Sequence, residues 1–216
     1  MKITAIVPVY NEEKTVKGVL GVLDLSPEIH DIVVIDDASY DRTPDIIKSL
    51  KINKMKFIML KKNIGKDNVI RKYAKNIRSD IVMLFDADLI GLEKHHIRKI
   101  LKALIEERAG MVIGLRDKGN FIANLTMPYF PLTCGERAIR MDIFKEIIKL
   151  PFRERWGLEW VMNDYCKKKK LKIAKIKLEG VDHIGLQTKK YGIVAFLKET
   201  YDFILIRIKL LGVKYN

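Results

Sequence analysis

Paired cysteines and dinucleotide-binding glycines are both missing from this chain of 216 residues. Cys134 and Cys166 form no Cys-x-x-Cys pair, which favours buried thiols in a reducing compartment over a disulfide framework or a zinc site. No basic stretch with a cleavage site precedes the apolar residues 3–9, so we expect no signal peptide. These absences predict a cytoplasmic protein.

Modules that read nucleic acid are also missing, although the chain is strongly basic. Its 41 Lys and Arg against 27 Asp and Glu give a formal net charge of +14, which favours anionic partners such as nucleotides or acidic lipid. Zinc-finger spacing, an RNP-type aromatic motif and basic heptads do not occur, which argues against nucleic acid. The missing Gly-x-Gly-x-x-Gly after the first apolar run argues against an NAD-linked oxidoreductase.

The first half of the chain alternates short apolar runs with amphipathic segments. The predicted strands are residues 3–9, 31–35, 56–60, 81–85 and 111–115. Apolar residues recur at the helical period in residues 16–23, 69–77 and 97–105. This order predicts an α/β fold with a mostly parallel sheet flanked by helices.

The second half of the chain is less regular. Residues 116–133 include Gly119, Pro128 and Pro131, which predicts a segment that is either mobile or faces the second substrate, the acceptor. Asp142 is the predicted N-cap of a helix to residue 148. A second helix over residues 158–169 and an edge strand over residues 172–177 follow.

The last segment, residues 191–216, is apolar over a wide arc but contains several charges: Lys198, Glu199, Asp202, Arg207 and Lys209. Because a bilayer needs about 20 uninterrupted apolar residues, these charges argue against a spanning helix. We expect an amphipathic helix instead. It either packs on the domain or on a second copy in a homodimer, or lies on the inner face of the membrane.

Polar groups follow each of the first four strands. They are Pro8-Val9-Tyr10-Asn11-Glu12, Asp36-Asp37-Ala38-Ser39, Asn63-Ile64-Gly65-Lys66 and Asp86-Ala87-Asp88. In an open α/β sheet, ligands bind at the carboxyl ends of the strands, so these four groups are expected to form one site.

The residue types in this set suit a nucleotide-diphosphate sugar. Two carboxylates separated by one residue can hold Mg²⁺ or Mn²⁺ against a diphosphate, with Asp88 as a direct ligand and Asp86 acting through water or the ribose. Lys66, at a helix terminus that opens with Gly65, adds positive charge there. Tyr10 is expected to stack on the base, while Asp37 accepts a ring N–H of uracil or guanine.

These motifs resemble the GT-A glycosyltransferases of the family 2 type, in residues 6–12 and 34–39 and in the Asp-x-Asp turn. A narrower resemblance links the chain to the retaining glucosyl-3-phosphoglycerate synthases. It lies in residues 65–71, 85–90, 131–132, 135–136, 151–152 and 156–159, so that most of residues 1–185 is covered. The Gly-rich basic acceptor segment of those synthases is missing from residues 116–133, which leaves the acceptor open.

The resemblance implies a set of site residues. The nucleotide-sugar site comprises Pro8, Tyr10, Asn11, Glu12, Asp37, Gly65, Lys66, Asp86 and Ala87. The metal ligands are Asp86, Asp88 and His183, and the catalytic residues are Lys66 and Glu159. The pattern also allows a second interpretation of each of two residues: Glu159 as an exposed carboxylate in a first helical turn, and His183 as a surface or capping residue.

We divide the chain into a nucleotide-sugar-binding half (residues 1–115), an acceptor-side half of the same domain (residues 116–190) and a helical extension (residues 191–216). The sequence is compatible with three functions. The first is metal-dependent transfer of a sugar from a UDP- or GDP-linked donor to an unidentified acceptor. The second is a polyprenyl-phosphate sugar transferase at a membrane surface. The third is an inactive basic module that binds membrane or nucleic acid.

Overall fold

The computed structural model describes residues 1–116, 134–150 and 157–183. The strands are β1 (Ile3–Val9), β2 (Asp31–Asp36), β3 (Met55–Met59), β4 (Ile81–Leu84), β5 (Leu89–Ile90), β6 (Met111–Arg116), β7 (Arg137–Arg140), β8 (Ile173–Leu178) and β9 (Asp182–His183). The helices are α1 (Val16–Asp24), α2 (Thr43–Ser49), α3 (Lys66–Ala74), α4 (Lys94–Glu106), α5 (Met141–Ile147) and α6 (Gly157–Lys168).

Seven strands form one sheet in the order β3-β2-β1-β4-β7-β6-β8. β7 runs antiparallel to β4 and β6, and the other neighbours are parallel. The predicted mostly parallel α/β sheet and the predicted edge position of β8 are thus confirmed. The chain winds outward from β1 to β3 and then returns to pair β4 with β1, so the strand order reverses between β1 and β4. Such a reversal is where open α/β sheets bind ligands.

Helices cover both faces of the sheet. One core cluster contains buried residues of α1, α2 and α4, and the other contains buried residues of α3, α5 and α6. Side chains of β1 alternate between them, with Ala5 and Val7 in the first and Ile6 in the second, as strand geometry requires. The helical stripe of α1 is confirmed as core: Val16, Val19, Leu20 and Leu23 are all buried.

Some predicted boundaries were wrong. α5 begins at Met141 with Arg140 in the N-cap position, so Asp142 is not the cap. Asp142 lies in the first turn, where its charge complements the helix dipole and pairs with Arg140 at 2.9 Å. The sequence reading also missed α2 and the strands β5, β7 and β9. Cys134 and Cys166 are buried, as predicted.

Two predicted segments fall outside the described residues. They are the acceptor-facing stretch from residue 117 to 133 and the amphipathic helix of residues 191–216. Membrane contact and the homodimer therefore stay predictions. None of the helices within the described ranges has both the length and the apolar character needed to cross a membrane.

Candidate active site

The loops after β1 and β2 are fastened to each other at the strand-order reversal. The backbone N–H of Asn11 donates to Ser39 Oγ at 2.9 Å, and Asn11 Oδ1 accepts the backbone N–H of Tyr40 at 3.0 Å. The backbone N–H of Glu12 donates to Thr43 Oγ1 at 2.8 Å. Asn11 and Glu12 therefore shape the site wall through these cross-links, whereas their predicted contact with the donor stays a prediction.

Asp37 connects the β2 end to the start of α3. Its two carboxylate oxygens accept the backbone N–H groups of Ile64 and Gly65, both at 2.8 Å. Gly65 occupies the N-cap position of α3 at φ +86°, a conformation that favours glycine, which explains why a glycine precedes Lys66. The predicted start of this helix is confirmed. Asp37 thus has a structural role in addition to its predicted contact with the base.

Tyr10, Pro8 and Ala87 are three other residues predicted to bind the nucleotide sugar, and they differ in exposure. Tyr10 is 43% exposed, and its ring meets that of Tyr40 edge to face at 6.1 Å between centroids. A ring that is exposed beside Asp37 is available for stacking on a base. Pro8 is buried within β1 opposite Ile35, and Ala87 is buried in the core, so both support the turns rather than present side chains to the cleft.

Lys66 stands at the centre of the site. Its Nζ lies 2.6 Å from Asp86 Oδ1 and 2.9 Å from Glu159 Oε1. Glu159 is 2% exposed, so its reading as an exposed first-turn carboxylate was wrong. Burial by itself would lower the pKa of Lys66, but the charges of Asp86 and Glu159 raise it above its usual range. Lys66 therefore keeps its positive charge between two carboxylates.

The pKa values of the two carboxyl groups in the Asp-x-Asp turn are shifted in opposite directions. Burial by itself would raise the pKa of Asp86, but Lys66 and Arg116 hold it below its usual range. Burial and the nearby charge of Asp86 raise the pKa of Asp88. Asp88 Oδ1 is buried and has no hydrogen-bond partner among the described residues. An unsatisfied buried carboxylate oxygen of this kind fits a hard cation.

His183 lies next to this turn in the fold. β5 pairs with β9 so that Leu89, the residue after Asp88, stands opposite His183. The His183 side chain is 41% exposed, and its Nδ1 lies 3.4 Å from Asp182 Oδ1. Within the described ranges, no three His, Cys, Asp or Glu side chains are close enough together to hold a metal ion. The three-ligand set is therefore not preassembled, and the ligand role of His183 stays a prediction.

Three further charged residues of the site were missed by the sequence reading, and the first is Asp67. It is 7% exposed, and its Oδ2 accepts the backbone N–H of Leu158 at 3.2 Å. This bond joins the first turn of α3 to the first turn of α6 and so sets Lys66 against Glu159. Burial, followed by the charge of Glu159, raises the pKa of Asp67 to about 7.

The other two are Arg116 and Glu136. Arg116 ends β6, and Glu136 precedes β7. Arg116 Nε lies 3.6 Å from Glu136 Oε2, and the two side chains are 10% and 0% exposed. Burial raises the pKa of Glu136 to about 7, although the charge of Arg116 opposes the shift. Their neighbour Gly135 is needed because a Cβ there would overlap the carboxylate of Asp86.

Arg137 holds residues 134–137 in place through two hydrogen bonds of its side chain. Its Nε donates to the carbonyl of Cys134 at 2.8 Å and its Nη1 to Asn163 Oδ1 at 2.7 Å. The side chain is fully buried, which lowers its pKa. These bonds link residues 134–137, which include Glu136, to α6, the helix that contains Glu159.

Comparison with known proteins places this arrangement in a family. The model of glycosyl transferase family 2 matches residues 4–163. A poly-beta-1,6-N-acetyl-D-glucosamine synthase of Staphylococcus aureus is 32% identical over 136 residues, which cover 60% of this chain and 33% of that protein. The chain thus spans about a third of the length of those relatives. An uncharacterized protein of Methanocaldococcus jannaschii is 30% identical over 232 residues, covering 94% of this chain and 99% of its own.

Solved structures agree on the fold. Glucosyl-3-phosphoglycerate synthase of Mycobacterium tuberculosis, in complex with Mn²⁺, UDP and glucosyl-3-phosphoglycerate, superposes with a TM-score of 0.77 at 18% identity. The match covers 100% of this chain and 81% of that one. The same enzyme with Mg²⁺ and UDP gives a TM-score of 0.73 at 19% identity, covering 100% of this chain and 81% of that one. The family model matches well over half of the chain, and the chain belongs to glycosyl transferase family 2.

Proposed function

We propose that this protein transfers a sugar from a UDP- or GDP-linked donor to an acceptor with the help of Mg²⁺ or Mn²⁺. The observation that carries the proposal is the Lys66 ammonium held between Asp86 and Glu159, beside the unsatisfied Asp88 oxygen, at the strand-order reversal. Support comes from fold neighbours whose complexes contain Mn²⁺ with UDP or UDP-glucose.

The described residues fit a cation that is shared with the donor. Mg²⁺ is usually held by one or two carboxylates together with substrate phosphates, so Asp86 and Asp88 suffice without a complete protein cage. The ion would neutralise charge on the diphosphate. The first turn of α3, behind Gly65, presents backbone N–H groups to the same phosphates. Tyr10 and Asp37 would bind the base at the β1 and β2 ends.

Two side chains, Lys66 and Glu159, are assigned roles in the reaction, one as a protonated group and one as a proton acceptor. When the bond between the anomeric carbon and the diphosphate oxygen breaks, the leaving group gains negative charge, which protonated Lys66 stabilises. Glu159 Oε2 is buried and has no hydrogen-bond partner in the described part of the chain. In an inverting reaction it would accept the proton of an acceptor hydroxyl. In a retaining reaction, which the resemblance to the retaining synthases favours, Glu159 would orient the acceptor or sugar instead.

Thermal unfolding with a panel of donors tests the proposal. The ligands are UDP-glucose, UDP-N-acetylglucosamine, UDP-galactose, GDP-glucose and GDP-mannose, each with and without Mn²⁺. A ligand that binds the native state at 100 times its Kd stabilises it by ~2.7 kcal/mol. We expect at least one donor to raise the melting temperature in a Mn²⁺-dependent way. No shift with any donor in the presence of Mn²⁺ would contradict the proposal.

A further inference from the structure

The Arg116–Glu136 pair contains polar atoms that have no role in the proposed binding of the metal, the base or the diphosphate. Arg116 Nε and both carboxylate oxygens of Glu136 are buried and without hydrogen-bond partners among the residues described. Their separation of 3.6 Å is an ion-pair contact and too long for a good hydrogen bond. Because buried polar groups are nearly always satisfied, such a donor and two such acceptors side by side indicate a missing partner.

The position of the pair along the sheet indicates what that partner is. The base is assigned to the ends of β2 and β1 and the diphosphate to the end of β4. In the direction from β2 through β1 to β4, the next strands of the sheet are β7 and then β6. From β1 to β6 is three strand steps, about 14 Å at about 4.8 Å each. The next moiety of an extended donor after its diphosphate is the sugar.

The pair lies beside Asp86, the residue to which the diphosphate end of the donor is assigned. Gly135 packs directly against the Asp86 carboxylate, and Arg116 is among the charges that lower the pKa of Asp86. Glu136 makes a phosphate a poor occupant, since its carboxyl group lies 3.6 Å from the guanidinium and would repel a second anion. A hydroxyl group is a better one, because it accepts from Arg116 and donates to Glu136 at once.

We propose that Arg116 and Glu136 bind hydroxyl groups of the donor sugar and so determine which sugar is accepted. The inference rests on the proposed function. Neighbouring hydroxyls of a hexose supply the acceptor that Arg116 Nε lacks and the donors that the Glu136 carboxylate lacks. A site that hydrogen-bonds a substrate hydroxyl rejects analogues in which that hydroxyl is missing or misplaced, because the buried groups are then left unsatisfied.

Calorimetric titration tests the pair, with two ligands compared in each variant. The ligands are the donor of the panel that binds wild type most tightly and its own nucleoside diphosphate, both with Mn²⁺. The test variants are Glu136→Gln and the double variant Arg116→Gln/Glu136→Gln, which removes both buried charges together. Arg140→Gln, at the exposed far end of β7, is the matched control. Thermal unfolding verifies that each variant is folded.

We expect the double variant to bind the nucleotide sugar about tenfold more weakly and the nucleoside diphosphate within twofold of wild type. Its preference among UDP-sugars or GDP-sugars should shrink by a similar factor, and Glu136→Gln should show a smaller loss of the same kind. The Arg140 control should change neither affinity.

Two results would overturn the sugar subsite alone. Equal losses for the nucleotide sugar and the nucleoside diphosphate would assign the pair to the phosphates, and unchanged affinity for both would make it a structural pair. If folded wild type binds no donor of the panel, the proposed function fails and the subsite fails with it.

Discussion

The two ends of the sheet treat charge in opposite ways. At the amino ends of the strands, Lys2 pairs with Asp31 at 2.7 Å with side chains 50% and 44% exposed. At the carboxyl ends, Lys66 pairs with Asp86 and Glu159, whose side chains are 18% and 3% exposed. Exposed pairs contribute about 0–1 kcal/mol and cost little to form, whereas buried ions must recover a large desolvation cost. Only the carboxyl-end group of Lys66, Asp86 and Glu159 carries this desolvation cost in the comparison of these two sets of charges.

Unsatisfied polar atoms are more numerous at the carboxyl end than at the amino end, where the described residues contribute Thr4 Oγ1 and Glu28 Oε2. The carboxyl end holds buried atoms without hydrogen-bond partners in the described structure, namely Asp88 Oδ1, Arg116 Nε, Glu136 Oε1, Glu136 Oε2 and Glu159 Oε2. Atoms of this kind destabilise a protein unless a ligand or ion completes them. The contrast between the two ends teaches that the carboxyl end is organised for a ligand rather than for stability.

The largest difference between the two ends is expected when one lysine is removed from each. Lys66→Met removes the ammonium between Asp86 and Glu159, so we expect the free energy of unfolding at pH 7 to fall by ~3 kcal/mol. Lys2→Met, which removes an exposed pair, should lower it by no more than ~1 kcal/mol. Urea unfolding of both variants gives the comparison. Equal losses would show that the Lys66 contacts are not effectively buried.

Asp88→Asn should separate function from stability. Since burial and the charge of Asp86 raise the pKa of Asp88, replacing its carboxyl by an amide relieves repulsion. We expect the free energy of unfolding to rise by ~1 kcal/mol, as is common when a functional charge is removed. Mn²⁺-dependent donor affinity should fall ~100-fold. Calorimetry and urea unfolding check the two effects, and retained affinity would remove Asp88 from the metal site.

The pH dependence of stability should report Asp67. Its pKa is about 7 in the folded protein against its ordinary value of 3.8, so between these pH values the folded state binds more protons than the unfolded state. The free energy of unfolding therefore falls as pH rises from about 4 to 7, by at most about 1.4 kcal/mol per pH unit from this group. Asp67→Asn should flatten this slope.

The control for Asp67 is Asp45→Asn, in the exposed first turn of α2. It should leave the slope of the wild-type curve intact, because an exposed carboxylate gains little from folding. A slope that is the same in wild type and Asp67→Asn would show that the Asp67 carboxyl is ionised in the folded protein throughout this range.

His183→Ala is expected to have the smallest effect. The side chain is 41% exposed and the three-ligand set is not preassembled, so we expect Mn²⁺ affinity to fall by about tenfold or less. A ligating imidazole must be neutral, so the variant should also lose less affinity than wild type as pH falls. Mn²⁺ titrations at two pH values measure both. Identical titrations would make His183 a surface residue.

Much of the fold could be predicted because its central strands are continuous apolar runs. β1, β4 and β6 were found in this way, and α1 and α4 from their helical stripes. α2 was missed because Thr43 and Pro44 follow a polar stretch that is typical of a turn. β7 was missed because its buried Arg137 interrupts the apolar pattern, and a buried cation is understood only from its contacts with Cys134 and Asn163.

The site was predictable where its residues directly follow strands, as in the Asp-x-Asp turn and the Gly65-Lys66 pair. The contact between Lys66 and Glu159 joins residues 93 positions apart, and it depends on α3 and α6 sharing one face of the sheet. Arg116 and Glu136 carried no periodic signal, since each is a single charge beside an apolar strand. Tertiary packing alone brings them to Asp86.

Release of nucleoside diphosphate is the most direct measurement of the proposed enzyme. The donor that stabilises wild type is incubated with and without Mn²⁺, and the liberated diphosphate is quantified for wild type and Asp88→Asn. We expect slow release by wild type that requires Mn²⁺ and is lost in Asp88→Asn, whose fold remains intact. Release that is independent of Mn²⁺ and equal in the two proteins, or no release from a donor that binds, would contradict metal-dependent glycosyl transfer at this site.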